Sequence, residues 1–416
     1  MAPPPLSRRR LLQGAGAAGI GLGIGGVGYA IGSSEAEGSD GIGTGTVPFD
    51  GVHQAGIATA QQDRLHFASF DLTTDRLDDL RTLMQEWTQA AREMVAGEMV
   101  GDVNDEPYAP PDDTGEAEGL LPSRLTITFG FGPTIFEVDG RDRFGLAAQR
   151  PAELREIPAL PADQLDPEIS GGDICVQACA DDPQVAFHAV RNLARIGRGT
   201  VVMRWTQLGF GRTSATTKAQ ATPRNLMGFK DGTENIRAEE EADMDRFVWV
   251  PADADPEWMR GGTYLVTRRI RMLLEVWDRA SLQDQENTVG RAKYSGAPLG
   301  ADDEFADLDL DAKAGGVPVI PADSHVRLAS EQVNGERLLR RGYSFTDGVI
   351  ESLGQLDAGL FFICFQRDPQ AQFVAIQRRL GSNDALNEYI SHRSSALFAI
   401  PPGAVDGGYV GEPLLG

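Results

Sequence analysis

Cysteine is scarce in this chain: Cys175, Cys179 and Cys364 are the only three among 416 residues. That excludes a disulfide-rich scaffold and falls short of a four-cysteine metal or iron–sulfur site. Cys175 and Cys179 are also spaced too widely for a redox Cys-x-x-Cys; on a strand they would share one face, which is the pattern of core packing. Histidine is nearly as rare, with His53, His66, His188, His325 and His392. None falls in a His-x-x-x-His or His-Glu-x-x-His pattern, so a zinc hydrolase is disfavoured. A nucleophile elbow, a Walker A loop and a strand-to-helix Gly-x-Gly-x-x-Gly are all missing. Basic residues run a deficit of 38 against 61 acids, for a net charge of −23. Such a chain cannot neutralise phosphates on any scale, which excludes nucleic acid as a partner and argues against docking on anionic membrane. The one long uncharged run, Gly14 to Gly32, holds nine glycines and is too weakly apolar for a membrane span.

What precedes that run has the character of an address. Ser7-Arg8-Arg9-Arg10-Leu11-Leu12 resembles a twin-arginine export signal, with Leu11 and Gln13 as mild departures. The expected organisation is a signal over 1–34, a Gly-, Ser- and acid-rich linker over 35–48, and two halves over 49–215 and 216–416. Export through that pathway carries folded protein to the periplasm or outside the cell, often with its cofactor already loaded.

Periodicity orders the first half. Leu65 to Leu72 reads as a strand; Leu77, Leu80, Met84, Trp87, Ala91 and Met94 read as one face of a helix. Leu125, Ile127, Phe129 and Phe131 alternate as in a half-buried strand. Ile174–Ala180, 183–196 and 201–210 read as strand, helix and strand. The order is β-α-β-β-α-β, the ferredoxin-like arrangement. The second half echoes it: Asp368-Pro369-Gln370-x-x-Phe373 repeats Asp182-Pro183-Gln184-x-x-Phe187, each with Pro placed for a first helical turn. Strands over 263–269, 338–345 and 360–365 and a helix over 274–286 complete the echo. The fold class is therefore α+β, two ferredoxin-like halves forming one body. Two acidic stretches, 238–245 and 301–311, read as solvated loops.

The segment Asn225-Leu226-Met227-Gly228-Phe229-Lys230-Asp231-Gly232-Thr233-Glu234-Asn235 is the most unusual locally. Two glycines bracket an acid, so the backbone there needs positive φ or close approach to a flat ligand. A second segment pairs Asp323-Ser324-His325 with Arg340-Arg341-Gly342-Tyr343 downstream; in an acidic chain, two arginines leading into an apolar strand suggest a charge aimed inward.

These segments resemble the dye-decolourising peroxidases. Gly228 to Gly232 matches that family's Gly-x-x-Asp-Gly motif, and His325 with Arg340 matches its proximal-His and distal-Arg segments. His53-Gln54-Ala55-Gly56-Ile57, Thr128 to Gly132, Gly171-Gly172-Asp173 and Gly296 to Gly300 extend the likeness through nearly the whole mature chain, and the leader matches the exported branch also called deferrochelatase. The resemblance implies haem b, with His325 as proximal iron ligand and Glu388 as the acidic partner behind it. It implies Asp231 as acid–base and Arg340 as charge stabiliser, with Gly232, Thr233 and Glu234 against the haem edge. Ser330-Glu331-Gln332 departs from the family's Asn-Pro-Arg, so propionate pairing is not carried over. The implied activity is reduction of H2O2 with oxidation of a dye, phenol or other small-molecule reductant. Deferrochelatase activity, which releases iron with the porphyrin intact, and non-catalytic haem binding are the alternatives. A homodimer and iron-uptake components are the implied partners. Trp87, Trp205, Trp249, Trp258, Trp277 and Tyr343 are the aromatic candidates for carrying oxidising equivalents outward.

Overall fold

The computed structural model describes residues 45–102, 107–405 and 407–416. The leader expected over 1–34 and most of the linker lie outside them. Eight strands carry the architecture: β1 (Arg64–Leu72), β2 (Thr126–Phe131), β3 (Ile174–Ala180), β4 (Val201–Arg212), β5 (Thr263–Met272), β6 (Tyr343–Ile350), β7 (Gln355–Gln366) and β8 (Ala396–Ile400). Their hydrogen-bonded order is β5-β8-β2-β3-β1-β4-β6-β7, and β7 pairs back onto β5, so the sheet closes into an antiparallel barrel. Closure leaves none of the eight as a free edge. The two halves meet twice within it, at β4–β6 and at β8–β2.

Alternation along the strands sends one set of side chains inward and the other onto helices. Phe67, Cys175, Cys179, Tyr343, Phe361 and Ile363 belong to one buried cluster inside the barrel. Phe70, Ile127, Phe129 and Val176 pack outward against α1 (Leu77–Ala96) and α2 (Pro183–Ile196). Trp87 on α1 is fully buried and donates its indole N–H to the Leu193 carbonyl at 2.8 Å. Truncating it to Ala would cost about 3–5 kcal/mol. The cysteines are free and buried, and burial pushes the Cys175 and Cys179 thiols up, so they are inert packing.

The first half has the expected β-α-β-β-α-β order, and α2 starts where Asp182 caps it, accepting from Gln184 N and Val185 N. Four expectations need correction. β2 is buried on both faces, because in a closed barrel Thr126, Thr128 and Gly130 point inward while Ile127, Phe129 and Phe131 meet the helices; the inward Thr128 hydroxyl is satisfied by the Ala55 carbonyl at 2.7 Å. The helix expected over 274–286 is broken into a turn, Leu274–Trp277, and α3 (Leu282–Val289), because Ser281 caps a fresh start by accepting from Asp284 N. The strand expected over 338–345 is interrupted between Arg340 and Tyr343, where a Cβ on Gly342 would lie 2.8 Å from Thr213 Oγ1. Pro369 does not open its helix either: Asp368 accepts from Gln370 N and Ala371 N, but Gln372 donates its side-chain amide to the Phe247 and Arg337 carbonyls. Helix α5 begins only at Phe373 (Phe373–Asn383).

Among the described residues no helix is long and apolar enough to cross a membrane. The acidic stretch 301–311 is not wholly solvated, since the Glu304 side chain is only 10% exposed.

Candidate active site

The Asp231 loop folds on itself through Asn225. Its side-chain oxygen accepts from Met227 N at 3.1 Å, and its amide donates to Asp231 Oδ2 at 3.2 Å. Both glycines of the motif have positive φ, +84° at Gly228 and +94° at Gly232. A Cβ on Gly232 would also lie 3.0 Å from the Ser214 Cα, so glycine is required there for two reasons. Phe229 and the Met227 carbonyl anchor the loop on Trp277, the latter by a 3.1 Å hydrogen bond.

Arg340 lies beside β7 and donates from Nη1 to Asp231 Oδ1 at 2.6 Å. The pair is partly open, with side-chain exposures of 28% and 15%. Asn235, at the end of the Asp231 loop, holds the Arg340 backbone from both sides: its oxygen accepts from Arg340 N at 2.8 Å and its amide donates to Arg340 O at 2.9 Å. Loop and arginine are therefore fixed to one another independently of their ion pair. The sequence carried no signal for this role of Asn235 beyond its place at the loop's end.

His325 is the first residue of α4 (His325–Ala329). Its Nδ1 lies 2.7 Å from Asp384 Oδ2. An ionised carboxylate can only accept, so Nδ1 carries a proton and, in the neutral ring, Nε2 is left with its lone pair. Asp384 is locked in turn: its Oδ1 accepts from Leu386 N at 2.8 Å, capping the turn Ala385–Glu388, and its side chain is 2% exposed. Burial alone would lower the His325 pKa. The charge and hydrogen bond of Asp384 outweigh it and raise the value above 6.5; Asp231 adds to the rise and Arg340 opposes it. His325 thus lies within electrostatic reach of both members of the Asp231–Arg340 pair. Its own ring remains 34% exposed.

The structure brings Asp231, Arg340 and His325 together but does not put Glu388 behind the histidine. That carboxylate is exposed at the end of the turn that Asp384 begins, and the partner of His325 is Asp384. An Asp placed to cap a short turn was the signal available to sequence reading. The side chains of Thr233 and Glu234 are turned to protein partners: Thr233 donates to Glu304 at 3.2 Å, and Glu234 accepts from Arg291 at 3.2 Å. The other buried histidines are committed elsewhere. His188 sits 2.9 Å from Asp113, and His392 accepts from the Gln377 amide at 3.1 Å, its pKa depressed to about 3 by burial and by the Arg268 and His325 charges. Of the six aromatic candidates, only Trp249 is more than marginally exposed; Trp205 floors a cleft of about 870 Å³ that contains none of the three site residues.

A carboxylate is paired with a guanidinium, and an imidazole anchored through Nδ1 lies within electrostatic reach of both. The family models for the N-terminal and C-terminal parts of the Dyp-type peroxidases match residues 54–211 and 222–405. The chain belongs to the Dyp-type peroxidase family. A curated deferrochelatase of Escherichia coli (strain UTI89 / UPEC) is 38% identical over 418 residues, covering 98% of this chain and 97% of the relative. Among solved structures, ferric DtpA from Streptomyces lividans is 41% identical with a TM-score of 0.82, covering 90% of this chain and 98% of the other. A DyP-type peroxidase from Cellulomonas bogoriensis is 37% identical with a TM-score of 0.80, covering 90% and 99%.

Proposed function

We propose that this protein is a haem b peroxidase in which Asp231 and Arg340 promote peroxide cleavage opposite His325. Membership of the Dyp-type peroxidases and the solved ferric relative support the cofactor and the reaction. The observation that carries the residue roles is the 2.6 Å Arg340–Asp231 pair within electrostatic reach of an imidazole whose far nitrogen is held by a carboxylate.

The residues suit the cofactor. His325 Nε2 has no hydrogen-bond partner among the described residues, while Nδ1 is anchored, which is how a metal-ligating histidine is oriented and made more basic. Haem, held by His325, would supply the iron and the redox chemistry of peroxide reduction. Asp231 takes the proton from the inner peroxide oxygen and returns it to the outer one, which leaves as water. Oδ1 is held by Arg340 and Oδ2 by Asn225, so the carboxylate keeps its orientation while lone pairs on both oxygens remain to receive the proton. Arg340 keeps its charge throughout and uses its remaining N–H groups to stabilise the anion developing on the outer oxygen. A dye or phenol would supply the two electrons that balance the reduction of H2O2 to water. Gly232, Thr233 and Glu234 would lie against the haem edge, with the Glu234 carboxylate 63% exposed beside Arg291.

Iron release from haem is the second reading, supported by the name of the curated relatives. The leader-like residues 1–34, acting in twin-arginine export, would place the mature protein in the periplasm or outside the cell, as a homodimer in contact with iron-uptake components. A Soret band that shifts on addition of H2O2, with turnover of a phenolic reductant, is the expected result for the holoprotein. A haem-loaded protein whose spectrum ignores peroxide would end the peroxidase reading, and accumulation of fluorescent metal-free porphyrin would favour iron release.

A further inference from the structure

Glu304 belongs to an acidic stretch, yet its carboxylate is turned into the protein. It pairs with the Lys230 ammonium and accepts from the Thr233 hydroxyl at 3.2 Å and from the Thr222 hydroxyl. These contacts pin the Asp231 loop before it, next to it and two residues beyond it. The anchor is itself anchored: Arg291 Nη1 donates to the Glu304 carbonyl at 2.9 Å, and the Arg291 side chain is 5% exposed. The Lys230 stem runs across Gly296, where a Cβ would lie 2.6 Å from Lys230 Cδ. Burial would raise the Glu304 carboxyl pKa, but bonds from Lys230, Thr222 and Thr233 hold it below the usual carboxylate value, so the clasp is charged at neutral pH.

Lys230 is covalently next to Asp231, so an ammonium not held by Glu304 would be tethered one residue from that carboxylate. We propose that Glu304 is a positioning residue for the peroxide step, holding the Lys230 ammonium away so that Arg340 is the only cation on Asp231. The proposal rests on the reading of Asp231 and Arg340 given above. A lysine released onto Asp231 would make the carboxylate a weaker base and pull it off the arginine.

Glu304→Gln keeps an acceptor for the two threonines and removes only the charge that holds Lys230. In haem-loaded protein, the first peroxide-driven spectral change should slow by about tenfold or more in this variant. Lys230→Met alone should stay within a few-fold of wild type, and the double variant should recover the wild-type rate, because no lysine is left to intrude. In haem-free protein, amide exchange over 223–233 should be faster in Glu304→Ala than in wild type, which tests the clasp without any peroxide chemistry. A wild-type rate in Glu304→Gln would overturn the proposal. So would Lys230→Met as slow as Glu304→Gln with no recovery in the double variant, or unchanged exchange in Glu304→Ala. A wild-type holoprotein that ignores peroxide would instead refute the peroxidase reading.

Discussion

Replacing Asp384 by Asn changes little in shape and removes one charge at a decisive place. Asp384 uses Oδ2 for His325 Nδ1 and Oδ1 for Leu386 N, whereas Asn has one oxygen. If that oxygen keeps the turn cap, the amide NH2 faces the ring nitrogen, and the fold should tolerate the change at a cost of about 1–3 kcal/mol. What disappears is the negative charge that raises the His325 pKa against its burial. With a neutral partner the imidazole is a weaker donor, and outer-shell losses of this kind cost about 10–100-fold in metal affinity or activity. Titrating haem into haem-free protein should therefore give weaker binding in Asp384→Asn, and the bound iron should be easier to reduce than in wild type. Glu388→Gln, four residues on and exposed, should alter neither quantity. Equal haem affinity and reduction potential in Asp384→Asn and wild type would refute the argument, and a large effect confined to Glu388→Gln would return the role to that residue.

His66 and His392, both buried with depressed pKa values, should make stability fall on mild acidification, and the pKa shift sets the share of His66. Its Nε2 lies 2.7 Å from Thr206 Oγ1, which already donates to the Phe67 carbonyl, so Nε2 carries the proton and Nδ1 is buried without a partner. Burial depresses its pKa from 6.5 to about 4. The unfolded chain therefore takes up a proton first as pH drops, and the folded state loses about 2 kcal/mol by pH 5 and about 3 kcal/mol by pH 4. Urea unfolding at pH 7.5 and pH 5 should show this loss in wild type and a smaller one in His66→Gln; identical losses would remove His66 as the cause. Steering by the net charge of −23 should favour cationic over anionic reductants, and added salt should weaken the apparent affinity for cationic dyes. A rise in that affinity with salt would contradict the steering.

The first half was legible because its signals are local. Asp182-Pro183 sets where α2 begins, and the 3.6-residue stripe of α1 needs no partner to be read. The second half depends on contacts remote in sequence. The breaks at Ser281 and Gly342 and the delayed start of α5 follow from a cap, from a close approach to Thr213 and from a glutamine recruited by distant carbonyls. The motif residues Asp231, Arg340 and His325 were readable because their types and order are distinctive. Asn235 and Glu304 were not, since each acts through a hydrogen bond that only the folded chain creates, and the cap signal at Asp384 does not name His325 as its partner. A charge run gives no hint of which one acid in it will point inward.

Peroxide cleavage should require Asp231 and Arg340 jointly. Stopped-flow absorbance of the haem-loaded protein, following the first change after mixing with H2O2, measures that step alone. Arg340→Leu should slow it by about 10²–10³-fold and Asp231→Asn by about 10²–10⁴-fold, with haem still bound through His325 in both. Wild-type rates in both variants would contradict the account and take the pair out of the mechanism.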